Sequence, residues 1–393
     1  MKIGIFGGSF NPIHAGHKNA LEAFVSAVSP DSVFVIPSFF PPHKEMPSLW
    51  ADFEDRMNMV KIALGNQPKV IFSEIEKELF EKSGEKSYTK ITLESLKKSY
   101  PGDYYLYVGT DMFLTLHQWR EAKWIFDNAV IAVMDRYENS DIIAQKEYLE
   151  NTFGARIILI SGKTVEISST EIRDSLKNNT SSRLLDTGVY DYIKENSLYT
   201  ERKSMTELRE YVKGMLPEKR FSHTLAVEKE TLYIASHLCP EFAGELCRAA
   251  LLHDVTKYLP PDEHAKIADA LTENDIKSPD TLHANSGAVV ARKMGEPMWR
   301  TVASHTTGKA DMSLFEMILF TADYTEETRT HDTCKKERAF LHDAIENARS
   351  FAEKRRALEE AVKHILENTV SYLKEKNTFI HPRTLDALDF YRR

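Results

Sequence analysis

The sequence predicts two domains of different class: an α/β domain on a parallel sheet over residues 1–200, and an all-α domain over residues 205–393. Three observations carry this. Short apolar runs alternate with helix-period segments only in the first half. No β-type alternation follows Tyr199. Histidine is uneven: four of the fourteen precede residue 200 and ten follow it, which hints at two chemistries. A length of 393 residues allows two or three domains, each with a full core.

The predicted strands are Lys2–Phe6, Ser32–Ile36, Val70–Phe72, Tyr104–Val108, Ala129–Met134 and Arg156–Ile160. These runs lack polar alternation, as expected of strands covered on both faces. Amphipathic stretches such as His17–Val28, Asp52–Leu64 and Thr89–Ser99 lie between them and read as crossover helices. Glu201-Arg202-Lys203-Ser204 is a short polar stretch and reads as a linker. Beyond it, helices are expected over Met205–Met215, Arg220–Leu238, Glu241–Tyr258, Thr281–Met294 and Met312–Glu327. Thr333–Tyr372 is expected to be helical with at least one break. Pro260-Pro261, Pro279 and Pro297 fall between these helices, where proline is tolerated.

Composition narrows the function. Lys and Arg total 51 against 59 Asp and Glu, a net charge of −8. That balance argues against coating a nucleic-acid polymer, which needs a basic footprint. Nucleotide substrates remain open, because they need only a few local cations and N–H groups. Three cysteines, Cys239, Cys247 and Cys334, make no disulfide framework. The N-terminus has no signal pattern and no 18-residue apolar run occurs. A cytoplasmic protein without membrane spans is expected.

Gly7-Gly8-Ser9-Phe10-Asn11-Pro12-Ile13-His14-Ala15-Gly16-His17 follows the first strand directly and opens a helix. Glycines there let the backbone approach a phosphate, and the helix N-terminus offers unpaired N–H groups. His14 and His17 are three residues apart, so both rings fit one face of the first turn and can donate to phosphate oxygens. Ile167-Ser168-Ser169-Thr170-Glu171-Ile172-Arg173 lies far downstream. Ser168, Ser169 and Thr170 are good N-caps, and Arg173 adds a forked donor on the same face.

The first string resembles the GSFNPxHxGH signature of the nucleotidyltransferase superfamily, and the second its ISSTxIR signature. Pro41-Pro42-His43-Lys44, Ser87-Tyr88-Thr89, and Gly109-Thr110-Asp111 followed by Trp119 narrow the likeness to the nicotinate-nucleotide adenylyltransferases. The likeness implies a Rossmann-like fold and attack by the phosphate of nicotinate mononucleotide on the α-phosphorus of ATP, with Mg²⁺ on the phosphates. His14, His17, Lys44 and Arg173 would then serve the phosphates. Asp111 would contact nucleotide hydroxyls, and Trp119 would stack on the nicotinate ring. The nicotinate carboxylate would meet backbone N–H groups at Tyr88 and Thr89. Gly7, Gly8, Ser9, Phe10, Asn11, Gly109, Ser168, Ser169 and Thr170 would complete the binding surface.

In the helical half, His253-Asp254 ends an apolar helix, with His223 upstream and His283, His305 and Asp323 downstream. Imidazoles and carboxylates from separate helices can build a divalent metal site. The dipeptide alone means little, since His331-Asp332 and His342-Asp343 repeat it; neither has suitable companions. The ordered set resembles the HD phosphohydrolases, whose minimal metal set maps to His223, His253, Asp254 and Asp323. His283 and His305 would hold a second metal.

Arg220-Phe221-Ser222-His223-Thr224, Leu282-His283-Ala284, His305-Thr306-Thr307-Gly308, Ala322-Asp323-Tyr324 and Ile380-His381-Pro382-Arg383-Thr384-Leu385 sharpen the likeness. Together they resemble the HD-type symmetrical bis(5′-nucleosyl)-tetraphosphatases. The likeness implies cleavage of diadenosine tetraphosphate into two ADP, with two divalent metals. Iron is favoured, with manganese or zinc as alternatives. Lys257 would contact phosphate. Val255-Thr256 and the stretch Tyr324–Arg329 depart from the family pattern, and neither is expected to touch a proposed ligand.

Other readings differ in the acceptor (phosphopantetheine or nicotinamide mononucleotide) or in the HD substrate (another nucleotide or a cyclic dinucleotide). A non-catalytic nucleotide-sensing HD module is a further alternative. The oligomeric state is left open, with a homo-oligomer among the alternatives.

Overall fold

A computed structural model describes residues 1–41, 49–135, 140–162, 167–177 and 184–393. The chain divides into two compact units, Met1–Glu195 and Asn196–Arg393.

In the first unit the strands are β1 (Lys2–Gly8), β2 (Ser32–Pro37), β3 (Val70–Phe72), β4 (Asp103–Val108), β5 (Ala129–Asp135) and β6 (Arg156–Ser161). Each begins within a residue of its predicted start. All pair in parallel, in the spatial order β3-β2-β1-β4-β5-β6. The order reverses between β1 and β4, so a crevice opens at the carboxyl ends of these two neighbours. The expected Rossmann-like α/β class is therefore what the chain adopts.

The helices of this unit are α1 (Ala15–Val28), α2 (Phe53–Leu64), α3 (Ile75–Ser83), α4 (Thr89–Ser99), α5 (Thr110–Leu114), α6 (Ala122–Asn128), α7 (Ser140–Phe153), α8 (Ser169–Lys177) and α9 (Thr187–Glu195). Asp52 starts α2 by accepting the N–H of Asp55 at 2.7 Å. One core cluster joins the sheet to its covering helices through Ile3, Ile5, Leu106, Ile131, Phe113, Phe126 and Leu149. Each such fully buried side chain contributes roughly 1.5–3 kcal/mol, which fixes the strand ends that carry the site.

The second unit is helical: α10 (Met205–Met215), α11 (Glu218–Leu238), α12 (Ala243–Leu252), α13 (Pro261–Ile267), α14 (Glu273–Lys277), α15 (Leu282–Lys293), α16 (Trp299–Ser304), α17 (Leu314–Thr325), α18 (Asp332–Asn347), α19 (Phe351–Glu375) and α20 (Pro382–Tyr391). The polar stretch expected to be a linker is anchored here. Arg202 pairs with Glu245 at 2.6 Å, Arg248 donates to the Lys203 carbonyl at 2.7 Å, and Ser204 caps α10. The helix expected over Glu241–Tyr258 stops at Leu252. There the chain turns, and Thr256 Oγ1 donates to the His283 carbonyl at 3.0 Å. The expected break in Thr333–Tyr372 falls between α18 and α19, where Ser350 caps α19 by accepting the Glu353 N–H. No helix among the described residues is long and apolar enough to cross a membrane.

Candidate active sites

A cavity of about 640 Å³ occupies the crevice beyond β1 and β4. Gly7, Gly8, Ser9, Asn11, His14, His17, Gly109, Ser168, Ser169, Thr170 and Arg173 line it. A Cβ on Gly7 would meet nothing closer than the Ile36 carbonyl at 3.8 Å, and one on Gly109 nothing within 4 Å. Packing within the protein does not require glycine at either position. The missing side chains leave room in the cavity instead. Gly16 is different: its Cβ would sit 3.0 Å from the His14 ring, so glycine there seats the histidine.

His14 and His17 stack with ring centroids 3.8 Å apart at the start of α1. The His14 N–H donates to His17 Nδ1 at 3.3 Å, so the neutral His17 ring carries its proton on Nε2 and can donate from there. Burial lowers the His14 pKa to about 4, against the opposing pull of Glu171, so its ring is neutral at pH 7. The buried Arg56 guanidinium donates to the carbonyls of Ser9, Ser38 and Ala51, holding the glycine loop to its neighbours. At α8, Ser169 Oγ donates to the Pro12 carbonyl at 3.1 Å and Arg173 to the Asn11 carbonyl at 2.7 Å. Two strings about 150 residues apart thereby share one wall. Glu171 closes back on Ser168, taking its N–H at 2.7 Å.

Other expected residues lie elsewhere. Phe10 is fully buried, at φ 45°, with its ring edge-on to His17 at 5.1 Å. Tyr88, Thr89, Asp111 and Trp119 do not line the large cavity. Asp111 is exposed in the first turn of α5, and Trp119 packs against the core cluster. The Tyr88 N–H, expected to face a ligand, is taken by the Lys86 carbonyl at 2.7 Å; Thr89 begins α4. Arg120 stacks over the Tyr88 ring at 4.7 Å and so links this segment to the one holding Trp119. Lys44 lies outside the described residues.

In the second unit, helix ends bring six side chains together. His223 comes from α11, His253 and Asp254 from the end of α12, His283 from the first turn of α15, His305 from the end of α16 and Asp323 from α17. His223 Nε2 lies 3.1 Å from Asp323 Oδ1, and His253 Nε2 lies 3.1 Å from Asp254 Oδ2. His283 Nε2 lies 3.0 Å from Asp254 Oδ1 and 3.2 Å from His305 Nε2. Two triads, His223–His253–Asp323 and His253–Asp254–His305, are each compact enough to hold a cation.

The outward Nδ1 atoms are pinned: His253 to the Ala250 carbonyl at 2.6 Å, His305 to the Val302 carbonyl at 2.7 Å, and His223 to Glu326 at 3.0 Å. Nε2 of each ring is thereby the inward-facing atom, the one metal ligation uses. Burial lowers the His223 pKa, but Asp323 and Glu326 outweigh it and raise it above the usual imidazole value. Burial lowers the His283 pKa to about 3 and also lowers that of His305, keeping both neutral. Asp254 and Asp323 sit well below the usual carboxylate range. Burial opposes ionisation of both, but His253 and Arg329, respectively, with the other imidazoles, outweigh it. His223 Nε2, His253 Nε2 and both Asp254 oxygens are buried with no hydrogen bond satisfied. Such a donor set fits divalent cations. Lys257 Nζ rests 3.2 Å from His283 Nε2, and burial lowers its pKa.

Two expectations are corrected here. The stretch Tyr324–Arg329 does touch the ligands: Glu326 bonds His223, and Arg329 pairs with Asp323 at 2.7 Å. Thr256 likewise reaches the backbone of His283. Glu326 follows Asp323 by three residues, at the residue that ends α17, a spacing that could have revealed it. Arg220 also went without a role, yet it lies one turn before His223 and its guanidinium contacts Asp254. His342-Asp343 stands apart, with His342 paired to Glu230 at 2.9 Å.

Residues 5–175 match the cytidylyltransferase-like family, and residues 220–328 match the HD domain. The chain is 34% identical over 202 residues to a probable nicotinate-nucleotide adenylyltransferase of Clostridium tetani, covering 50% of this chain and 98% of that protein. A second of the same description, from Carboxydothermus hydrogenoformans, is 37% identical over 203 residues, covering 50% and 98%. Among solved structures, a "predicted HD superfamily hydrolase involved in NAD metabolism" from Clostridium acetobutylicum is similar. It has 27% identity and a TM-score of 0.43, covering 49% of this chain and 98% of that one.

Proposed function

Because the first half of this chain belongs to the nicotinate-nucleotide adenylyltransferase family and the second half carries an HD domain, we propose a bifunctional enzyme. The first unit joins ATP and nicotinate mononucleotide into nicotinate adenine dinucleotide. A phosphate oxygen of the mononucleotide attacks the α-phosphorus, the bond to the bridging oxygen breaks, and pyrophosphate leaves. No protein nucleophile is needed, so catalysis is positioning and charge stabilisation. His17 donates from Nε2, the start of α8 presents N–H groups, and Arg173 braces the wall. Mg²⁺ bound with ATP supplies charge neutralisation on the phosphates. The observation that carries this reading is the shared wall: Arg173 and Ser169 bonded to the loop that holds both histidines.

The second unit is proposed to hydrolyse diadenosine tetraphosphate: one water adds, one P–O bond breaks, and two ADP form. His223, His253, Asp254 and Asp323 would hold one divalent cation, and His283 and His305, with Asp254, a second. Iron, manganese or zinc there would supply Lewis acidity, lowering the pKa of water and neutralising phosphate charge. Burial keeps the His283 and His305 rings neutral, and Lys257 beside His283 is placed to contact phosphate. The convergence of these side chains, with unsatisfied inward atoms on His223, His253 and Asp254, carries this reading.

Elemental analysis of the purified chain and product analysis on each substrate pair test both halves. About two divalent ions per chain, with ADP as sole product from diadenosine tetraphosphate, is the expected result. Bound metal without hydrolysis of any dinucleoside polyphosphate would favour a sensing module. An acceptor panel decides between nicotinate mononucleotide and its amide analogue.

A further inference from the structure

Glu76 lies on α3, where no sequence motif marks it, yet its carboxylate joins three separate segments. The Phe39 N–H, just beyond β2, donates to Oε2 at 3.3 Å. Thr92 Oγ1, on α4, donates to Oε1 at 3.2 Å. The Ser87 hydroxyl donates to the same carboxylate. Ser87 Oγ in turn accepts the Phe40 N–H at 3.1 Å, and the Ser87 N–H donates to the Phe40 carbonyl at 3.0 Å. Thr92 Oγ1 also lies 3.3 Å from the Tyr88 carbonyl.

Every partner gathered on Glu76 is therefore a donor, and an ionised carboxylate is the side chain that offers acceptors alone. A glutamine would turn an NH₂ group toward one of those donors. We propose that Glu76 is a positioning residue for the acceptor nucleotide, fixing the Ser87-Tyr88-Thr89 segment and the start of α4 against the end of β2. It rests on the reading that this segment receives the nicotinate group. A carboxylate in this place is costly: burial raises its pKa to about 7, against the three hydrogen bonds and the charge of Arg56 on α2. Glu85 and Lys86 face it across a small cavity that Tyr88 also lines. Ionised above pH 7, it accepts from all three donors; protonated below, it loses an acceptor. Acceptor binding then weakens as pH falls through about 7.

Steady-state kinetics on the full chain test this, with KM measured separately for nicotinate mononucleotide and ATP. Glu76→Gln is expected to raise the acceptor KM about tenfold, the effect of one charge-assisted hydrogen bond, with kcat and the ATP KM within about twofold. Thr92→Val removes one donor and is expected to give the same pattern at about threefold. The wild-type acceptor kcat/KM should fall on acidification through pH 7 more steeply than that of Glu76→Gln. The same substrate is used for both, so titration of its phosphate cancels. An unchanged acceptor KM, an equal rise in both KM values, or matching pH profiles would overturn the proposal. Wild-type chain that fails to adenylylate nicotinate mononucleotide would overturn the acceptor reading and this inference together.

Discussion

The two candidate sites are built from different materials. The first is largely backbone and space: a glycine-lined strand end, the starts of α1 and α8, and a cavity of about 640 Å³. The second is side chains packed together, with six ligand-type groups from five helices meeting at contacts as short as 3.0 Å. A polyphosphate presents many oxygens to an open cleft, and several N–H donors share them. A cation demands several lone pairs at one point, so their carriers must be buried and locked. The first site should therefore degrade gradually under substitution, and the second should fail abruptly.

The sharpest break is expected at Asp254, which faces all four histidines or their partners. Asp254→Ala should reduce bound metal to background and hydrolysis by more than about 10³-fold, with adenylyl transfer within about twofold. Elemental analysis and both assays read this; loss of both activities would contradict two independent sites. Next is His17→Ala, expected to lower kcat by about 10²-fold with little change in ATP KM, as for a donor aimed at developing charge. Unchanged turnover would remove His17 from that role. Glu326→Gln should weaken metal binding about 10–100-fold by loosening His223, as read in a chelator competition. Retained affinity would show that His223 needs no outer support.

The smallest effect concerns pH. Burial holds the folded His14 pKa at about 4 against 6.5 in the unfolded chain. The unfolded state then binds more protons between these values, so stability of the first unit falls as pH drops from 6.5 toward 4. The loss approaches about 3 kcal/mol, and His14→Asn should flatten this part of the profile in thermal melts at graded pH.

Much of the fold was legible because strands covered on both faces leave uninterrupted apolar runs; Val70–Phe72 was readable as an apolar run too, although it is the edge strand and leaves Ile71 exposed. Helix ends were harder. Past the stop at Leu252, Thr256 reaches α15, a contact with no local signature. The six side chains that converge in the second unit were legible through their order and flanking strings. Their outer supports, Glu326, Arg329 and Arg220, were hidden because charged side chains in these stretches read as ordinary solvated faces. Glu76 was hidden for the same reason, one glutamate among Glu74, Glu78 and Glu81.

The sequence by itself determined what depends on chain-local physics. That includes strand and helix periodicity, a glycine loop opening a helix, capping residues at α8, and the inventory of histidines and aspartates. Only the tertiary structure decided what depends on neighbours remote in the chain. It set the burial that keeps His14 and His283 neutral, the carbonyls and carboxylate that aim each imidazole, and the placement of Phe10 in the core. A side chain's protonation and direction follow from the groups packed around it, and those groups come together only when the chain folds.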